Sequence, residues 1–192
     1  MEKVILKKTS RILAGHLWIF SNELSESPRN YEPGSFVEVY DRQNNFLGIG
    51  YINPNSLISI RLLTQKKEKI DADFFKKRIL DAIDYRKRVC VDNNSCRIIF
   101  SEGDLLPGLI VDKYADCIVV QFLTLGIDNI GVMILNLIDE IFSPSVIVLR
   151  NDSHSRMLEG MTLEKKIAKG SVDPLPVINE EEVTIEVDPM RG

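Results

Sequence analysis

Three apolar runs, Ser35–Asp41, Phe46–Ile52 and Leu57–Leu63, follow one another with only Gln43-Asn44-Asn45 and Asn53-Pro54-Asn55-Ser56 between them. Turn residues interrupt the chain after each run, so no helix can pass through this stretch. The alternation in Phe36-Val37-Glu38-Val39-Tyr40 predicts a half-buried strand. Gly48 and Gly50 inside the second run predict a bulge or tight curvature. Before the runs, Lys3–Leu6 reads as a short strand. Ser10–His16 reads as one or two helical turns, with Ser10 capping the start and Gly15 near the end. Pro28, Asn30, Pro33 and Gly34 mark a loop. Short strands at close spacing plus one small helix predict a small open barrel of about 65 residues.

The pattern changes after the charged, apolar-poor joint Gln65-Lys66-Lys67-Glu68-Lys69. Asp71 is placed to cap a helix over 72–90, whose Phe74, Phe75, Ile79, Ala82, Ile83, Val89 and Cys90 share one face. Strands are then expected at 97–101, 109–112 and 117–123, a buried helix at 128–142 behind an Asp128 cap, and a strand at 145–149. A hairpin is expected from 176–178 and 183–187 around Asn179-Glu180-Glu181-Glu182. Strands grouped before a helix describe an α+β unit and not a series of βαβ repeats. The expected division is 1–66, 67–188 with its leading helix, and a short linker at 189–192.

Composition narrows the class. At 44% hydrophobic and 27% charged residues the chain is neither disordered nor fibrous. Its longest apolar stretches, near Cys117–Gln121 and Val132–Ile138, are too short to span a bilayer, and the N-terminus lacks the apolar core of a signal peptide. Cys90, Cys96 and Cys117 are odd in number and lack C-x-x-C spacing. That argues against a disulfide framework or zinc ribbon and fits a cytoplasmic location. The net charge of −4 conceals an asymmetry: residues 1–88 carry +5 and residues 89–192 carry −9. A basic first half can supply phosphate contacts while the second half does something else.

For chemistry, no glycine-rich strand-to-helix turn and no P-loop is present. The two histidines, His16 and His154, lack metal-ligand spacing. Asp152-Ser153-His154-Ser155 places hydrolase-type residues side by side, whereas a triad is assembled across a fold. The segment Glu102-Gly103-Asp104-Leu105-Leu106-Pro107-Gly108 holds two carboxylates two residues apart, in a loop shaped by glycine and proline. It could bind a cation or face a partner domain; on the residues alone it reads as a tight connection with solvated acids. The first unit sets Lys7, Lys8, Arg11, His16, Arg42 and Arg61 near Trp18, Phe20 and Tyr40. Basic residues with aromatics suit an RNA backbone and splayed bases, although in so small a barrel Trp18 and Phe20 read first as core.

The order and spacing of several segments resemble one family. Residues 9–23 are similar to the opening of the PUA-type domain of bacterial large-subunit ribosomal-RNA methyltransferase I proteins, and the likeness continues through residues 34–41 and Asp71-Ala72-Asp73-Phe74-Phe75. The central signature of that family resembles Ser101-Glu102-Gly103-Asp104-Leu105-Leu106-Pro107-Gly108 through Tyr114. Arg150–Ser153, Arg156–Met161 and Val177–Asp188 extend the likeness to essentially the whole chain.

The resemblance implies an N-terminal PUA-type RNA-binding barrel followed by a central α+β (strand-strand-helix-strand) domain. The family transfers methyl from S-adenosylmethionine to cytosine C5 through a cysteine thiolate. The catalytic Rossmann-like domain that supplies donor pocket and cysteine is expected beyond Val187-Asp188-Pro189-Met190-Arg191-Gly192, so none of its residues carries over. On this reading the chain holds no cofactor, is inactive alone, and positions large-subunit rRNA through Lys7, Lys8, Arg11, His16, Arg42 and Arg61. The loop bearing Glu102, Asp104 and Pro107 would abut the missing domain; self-association is open and no membrane partner is implied. The alternatives are a stand-alone RNA- or protein-interaction module and, well behind, a small metal-dependent enzyme using Glu102, Asp104 and Asp112.

Overall fold

The computed structural model describes residues 1–90, 94–180 and 183–191. Its first sheet is built from the runs that open the chain. Strands β1 (Glu2–Ile5), β2 (Trp18–Ile19), β3 (Phe36–Tyr40), β4 (Phe46–Ile52) and β5 (Ile60–Thr64) lie in the order β1-β3-β4-β5-β2. β1 runs parallel to β3, and all other neighbours are antiparallel. Val4, Val37, Val39, Ile60 and Leu62 point inward with Leu6 and Ile19 to form one core. The chain after β2 returns to β1: Lys7 N donates to Glu23 O and Ser25 N to Ile5 O, both at 2.8 Å. The short helix α1 (Ser10–Leu13) joins β1 to β2. Thr9, and not Ser10, occupies its N-cap, without a side-chain bond.

The third apolar run becomes a strand only from Ile60. Asn53 N donates to Ser59 O (2.7 Å) and Ser59 Oγ to Ser56 O (3.2 Å). The turn therefore closes around residues 53–59 and pushes Leu57 into solvent.

Helix α2 (Ala72–Val89) follows, with Asp71 accepting from Phe74 N at its cap. The second sheet contains β6 (Ser95–Phe100), β7 (Leu109–Tyr114), β8 (Cys117–Phe122), β9 (Val146–Asn151) and β10 (Glu164–Lys169), in the order β10-β9-β8-β7-β6. β8 and β9 are parallel, joined by α3 (Leu125–Asn129) and α4 (Gly131–Phe142). The mixed α+β composition is thus as expected. The single helix expected over 128–142 is instead two, which meet at Ile130. β2, β10 and the short helix α5 (Ser155–Leu158) were not expected. A final hairpin pairs β11 (Val177–Glu180) with β12 (Val183–Glu186); residues 181 and 182 of the expected turn, and Gly192, lie outside the described residues.

One face of the second sheet packs on α2 and α4. Phe75, Ile79, Ile99, Val111, Val120, Ile134 and Ile138 are buried there together with Tyr51 and Leu63 from the first sheet. The two sheets therefore share a core. Among the described residues no helix is long and apolar enough to cross a membrane.

Candidate nucleic-acid interface

Strand polarity decides where the basic residues of the first unit go. β1, β3 and β5 end at one end of the sheet, and β2 runs away from that end. Lys7 and Lys8 leave β1 there, Arg42 follows β3, His16 precedes β2, and Arg11 sits on α1 between β1 and β2. Lys66 and Lys67, just beyond β5, join the same end; the sequence reading had assigned both to a joint. Lys7, Lys8, His16 and Arg42 are exposed. None of these four makes a side-chain hydrogen bond or ion pair among the described residues. Basic side chains that are not paired with the nearby acids, Asp41 being taken up by its own turn, suit a phosphate backbone.

Local chemistry holds this end in shape. The turn carrying Arg42 is organised by Asp41, which accepts from Gln43 N (2.9 Å), Asn45 N (2.8 Å) and Asn45 Nδ2 (2.7 Å). Those bonds, the Asn45 amide foremost, hold its carboxyl below the usual range. The Lys3 ammonium lies 4.3 Å from the centre of the Tyr40 ring, and the Arg11 guanidinium 4.7 Å from that of Phe20. Both are cation–π distances.

Arg61 departs from the group. It lies near the far end of β5, opposite Trp18 in the register, and its side chain is only 11% exposed. Nη1 donates to Glu159 at 2.8 Å, and Nε lies 3.8 Å from Glu102. Glu159 is buried and also accepts from Asn53 Nδ2 (2.8 Å), which donates in addition to the Glu159 carbonyl (2.9 Å). Tyr51 OH donates to Pro107 O (2.7 Å) and lies 2.8 Å from Thr124 Oγ1. Burial pushes its phenol well above the ordinary value. These residues form a buried polar seam joining the two sheets. Gly126 is part of it, since a Cβ there would stand 2.1 Å from the Tyr51 ring.

The loop expected to face a missing domain is engaged within the chain. Glu102 accepts from Trp18 Nε1 (2.7 Å) and from Ser101 Oγ. Asp104 receives both Arg86 terminal nitrogens (3.0 and 2.6 Å) and Phe100 N (2.6 Å). Pro107 is buried under Tyr51. Ser101 (φ 48°) and Leu105 (φ 58°) take the left-handed conformation, which costs about 1 kcal/mol or more for each non-glycine residue. The bonds of Asp104 and Glu102 offset that cost. Asp112 is likewise paired, with Arg97 at 2.7 and 3.0 Å. Among the described residues no group of three or more His, Cys, Asp or Glu could hold a metal ion. Each of the three acids of the metal-dependent alternative instead meets a donor inside the protein.

Trp18 and Phe20 also depart from expectation. The alternation of β2 turns Ile19 into the core, while Trp18 is 38% exposed. Both aromatics line a cleft of about 590 Å³ between the sheets.

Known proteins resemble the chain along most of its length. A family model described as a PUA-like domain matches residues 4–65. Ribosomal RNA large subunit methyltransferase I of Shewanella denitrificans is 33% identical over 182 residues, 92% of this chain and 46% of that protein. The protein of the same name from Tolumonas auensis is 31% identical over 186 residues, 94% of this chain and 47% of that protein. The chain thus spans about half the length of these curated relatives. Among solved structures, a putative SAM-dependent methyltransferase from Streptococcus mutans matches with TM-score 0.78 at 17% identity, over 96% of this chain and 47% of that one. A putative methyltransferase complexed with SAH matches with TM-score 0.69 at 18% identity, over 78% of this chain and 40% of that one. At these identities the structural likeness establishes a shared fold.

Proposed function

We infer that this chain, a relative of the ribosomal RNA large subunit methyltransferase I family along nearly its whole length, is the part of such a protein that holds RNA. The observation that carries the reading is the basic end of the first sheet, which coincides with the PUA-like stretch. Lys7, Lys8, Arg11, His16 and Arg42 contact the phosphate backbone there, with Lys66 and Lys67 extending the track. Arg61 serves differently: it keeps the barrel-like first unit locked to the central α+β unit.

In this reading the chemistry is methyl transfer from S-adenosylmethionine to cytosine C5 of large-subunit rRNA. The donor pocket and nucleophilic cysteine belong to the length of the relatives that this chain does not span. The chain's own residues bind and orient the RNA.

Labelled methyl incorporation into rRNA distinguishes the roles. The chain alone is expected to bind large-subunit rRNA and to transfer no methyl group from S-adenosylmethionine. Methyl incorporation by the chain alone would overturn the division of roles. Absence of RNA binding by fluorescence anisotropy would overturn the RNA-holding role.

A further inference from the structure

We propose that the cleft between the two sheets receives a single unpaired RNA base, stacked on Trp18, with its polar edge toward Glu102 and Arg61. The proposal rests on the RNA-holding reading and names what that site recognises.

The walls of the cleft are apolar and open. Leu57 is 80% exposed and Leu158 67% exposed beside Trp18. Side chains of this kind gathered round one concavity mark a binding surface more than a solvated one. The indole is fixed before any ligand arrives. Its backbone pairs with Arg61 across β2 and β5, and Nε1 is held by Glu102. A rigid aromatic face binds with little entropy loss.

The polar groups select the occupant. Arg61 lines the cleft; its Nε is buried behind that wall, 3.8 Å from Glu102 and without a hydrogen-bond partner among the described residues. A donor in that state is short of an acceptor, and a small shift of the guanidinium would offer it to a ligand edge in the cleft. Glu102 is 28% exposed and can accept further bonds beside those from Trp18 and Ser101. A planar ring with apolar faces, an edge acceptor and an edge amino group answers all of these demands. Adenine, cytosine and guanine carry that amino group, and uracil does not, so amino-bearing bases are favoured.

Position supplies the route. Phe20, on the cleft wall, stacks against Arg11, so the aromatic surface continues into the basic end of the sheet. An RNA strand held there can turn one base into the cleft, as single-strand binders do.

Trp18 is the only tryptophan of the chain, so its emission reports this cleft alone. The test titrates the full 192-residue chain with end-labelled single-stranded oligoadenylate, oligocytidylate and oligouridylate, following label anisotropy and Trp18 emission together. Saturable quenching with the same midpoint as the anisotropy is expected, with oligouridylate the weakest ligand. Trp18→Ala should weaken oligoadenylate binding by about 5- to 150-fold. Trp18→Phe, which keeps an aromatic face but loses the bond to Glu102, should lose much less. Equal losses in the two variants would assign Trp18 a merely structural role and overturn the proposal. Leu57→Asp, at a position 80% exposed, should also weaken binding by placing a carboxylate at the mouth. RNA binding that leaves Trp18 emission and Leu57→Asp affinity unchanged overturns the cleft and spares the RNA-holding role. No anisotropy change with any RNA overturns both.

Discussion

Glu159 is 3% exposed and faces donors from Arg61 and Asn53. Deleting one partner of such a pair strands the other without water. Glu159→Ala is expected to lower unfolding free energy by about 3–5 kcal/mol, as urea denaturation would measure. A double-mutant cycle with Arg61→Ala should show strong coupling. Gly126→Ala should cost about 1–3 kcal/mol, because the new methyl meets the Tyr51 ring within a packed core. Tyr51 also sets an alkaline limit. Its ordinary pKa is 10.0, and burial raises it in the folded chain. The unfolded chain therefore loses this proton at lower pH than the folded one, so stability is complete below about pH 10 and falls as pH rises beyond it. The buried thiol of Cys117, pushed up from 9.0 to about 11 by burial, acts in the same direction over that interval. Tyr51→Phe should flatten the decline of melting temperature above pH 10; an unchanged slope would remove Tyr51 as its source.

Elements were legible where local and tertiary demands coincide. Asp71 and the apolar face through Phe75 and Ile79 announce α2, and the helix starts and ends within a residue of expectation. Asp71→Ala should cost about 1 kcal/mol by leaving Phe74 N without its cap, a loss that thermal melting can register. β10 was invisible because Glu164-Lys165-Lys166-Ile167-Ala168-Lys169 is an exposed edge strand. Charge at an edge prevents pairing with other chains and erases the apolar signal of a strand. Gly131, the first residue of α4, packs so closely on Phe122 that a Cβ there would stand 2.9 Å from its ring. Sequence periodicity carries no record of that close approach. The site was legible in part for a related reason. Lys7, Lys8, Arg11, His16 and Arg42 are visibly basic, but their convergence depends on strand direction. Lys66 and Lys67 were missed although strand alternation, followed through to β5, would have carried them to the same end. The burial of Arg61 was not legible either, since its carboxylate partner Glu159 lies 98 residues further along the chain.

At the scale of the whole molecule, charge is segregated: a positive end on the first sheet, and most of the negative balance in the second half. If five side chains at that end each neutralise one phosphate, the logarithm of RNA affinity should fall with the logarithm of salt at a slope of about −3.5. Replacing Lys7 and Lys8 together by alanine should flatten that slope by about 1.4 and weaken binding to all sequences alike. A slope near zero in the unaltered chain would remove the phosphate contacts. The seam through Arg61, Glu159, Asn53 and Tyr51 lies out of reach of such screening, because its charges are buried. Concentrated salt should therefore strip nucleic acid from the surface while the joint beneath it stays shut. Mechanically, the chain is then a bracket and not two beads on a string. Whatever is gripped at its positive end is held out at one bearing to anything attached at the other.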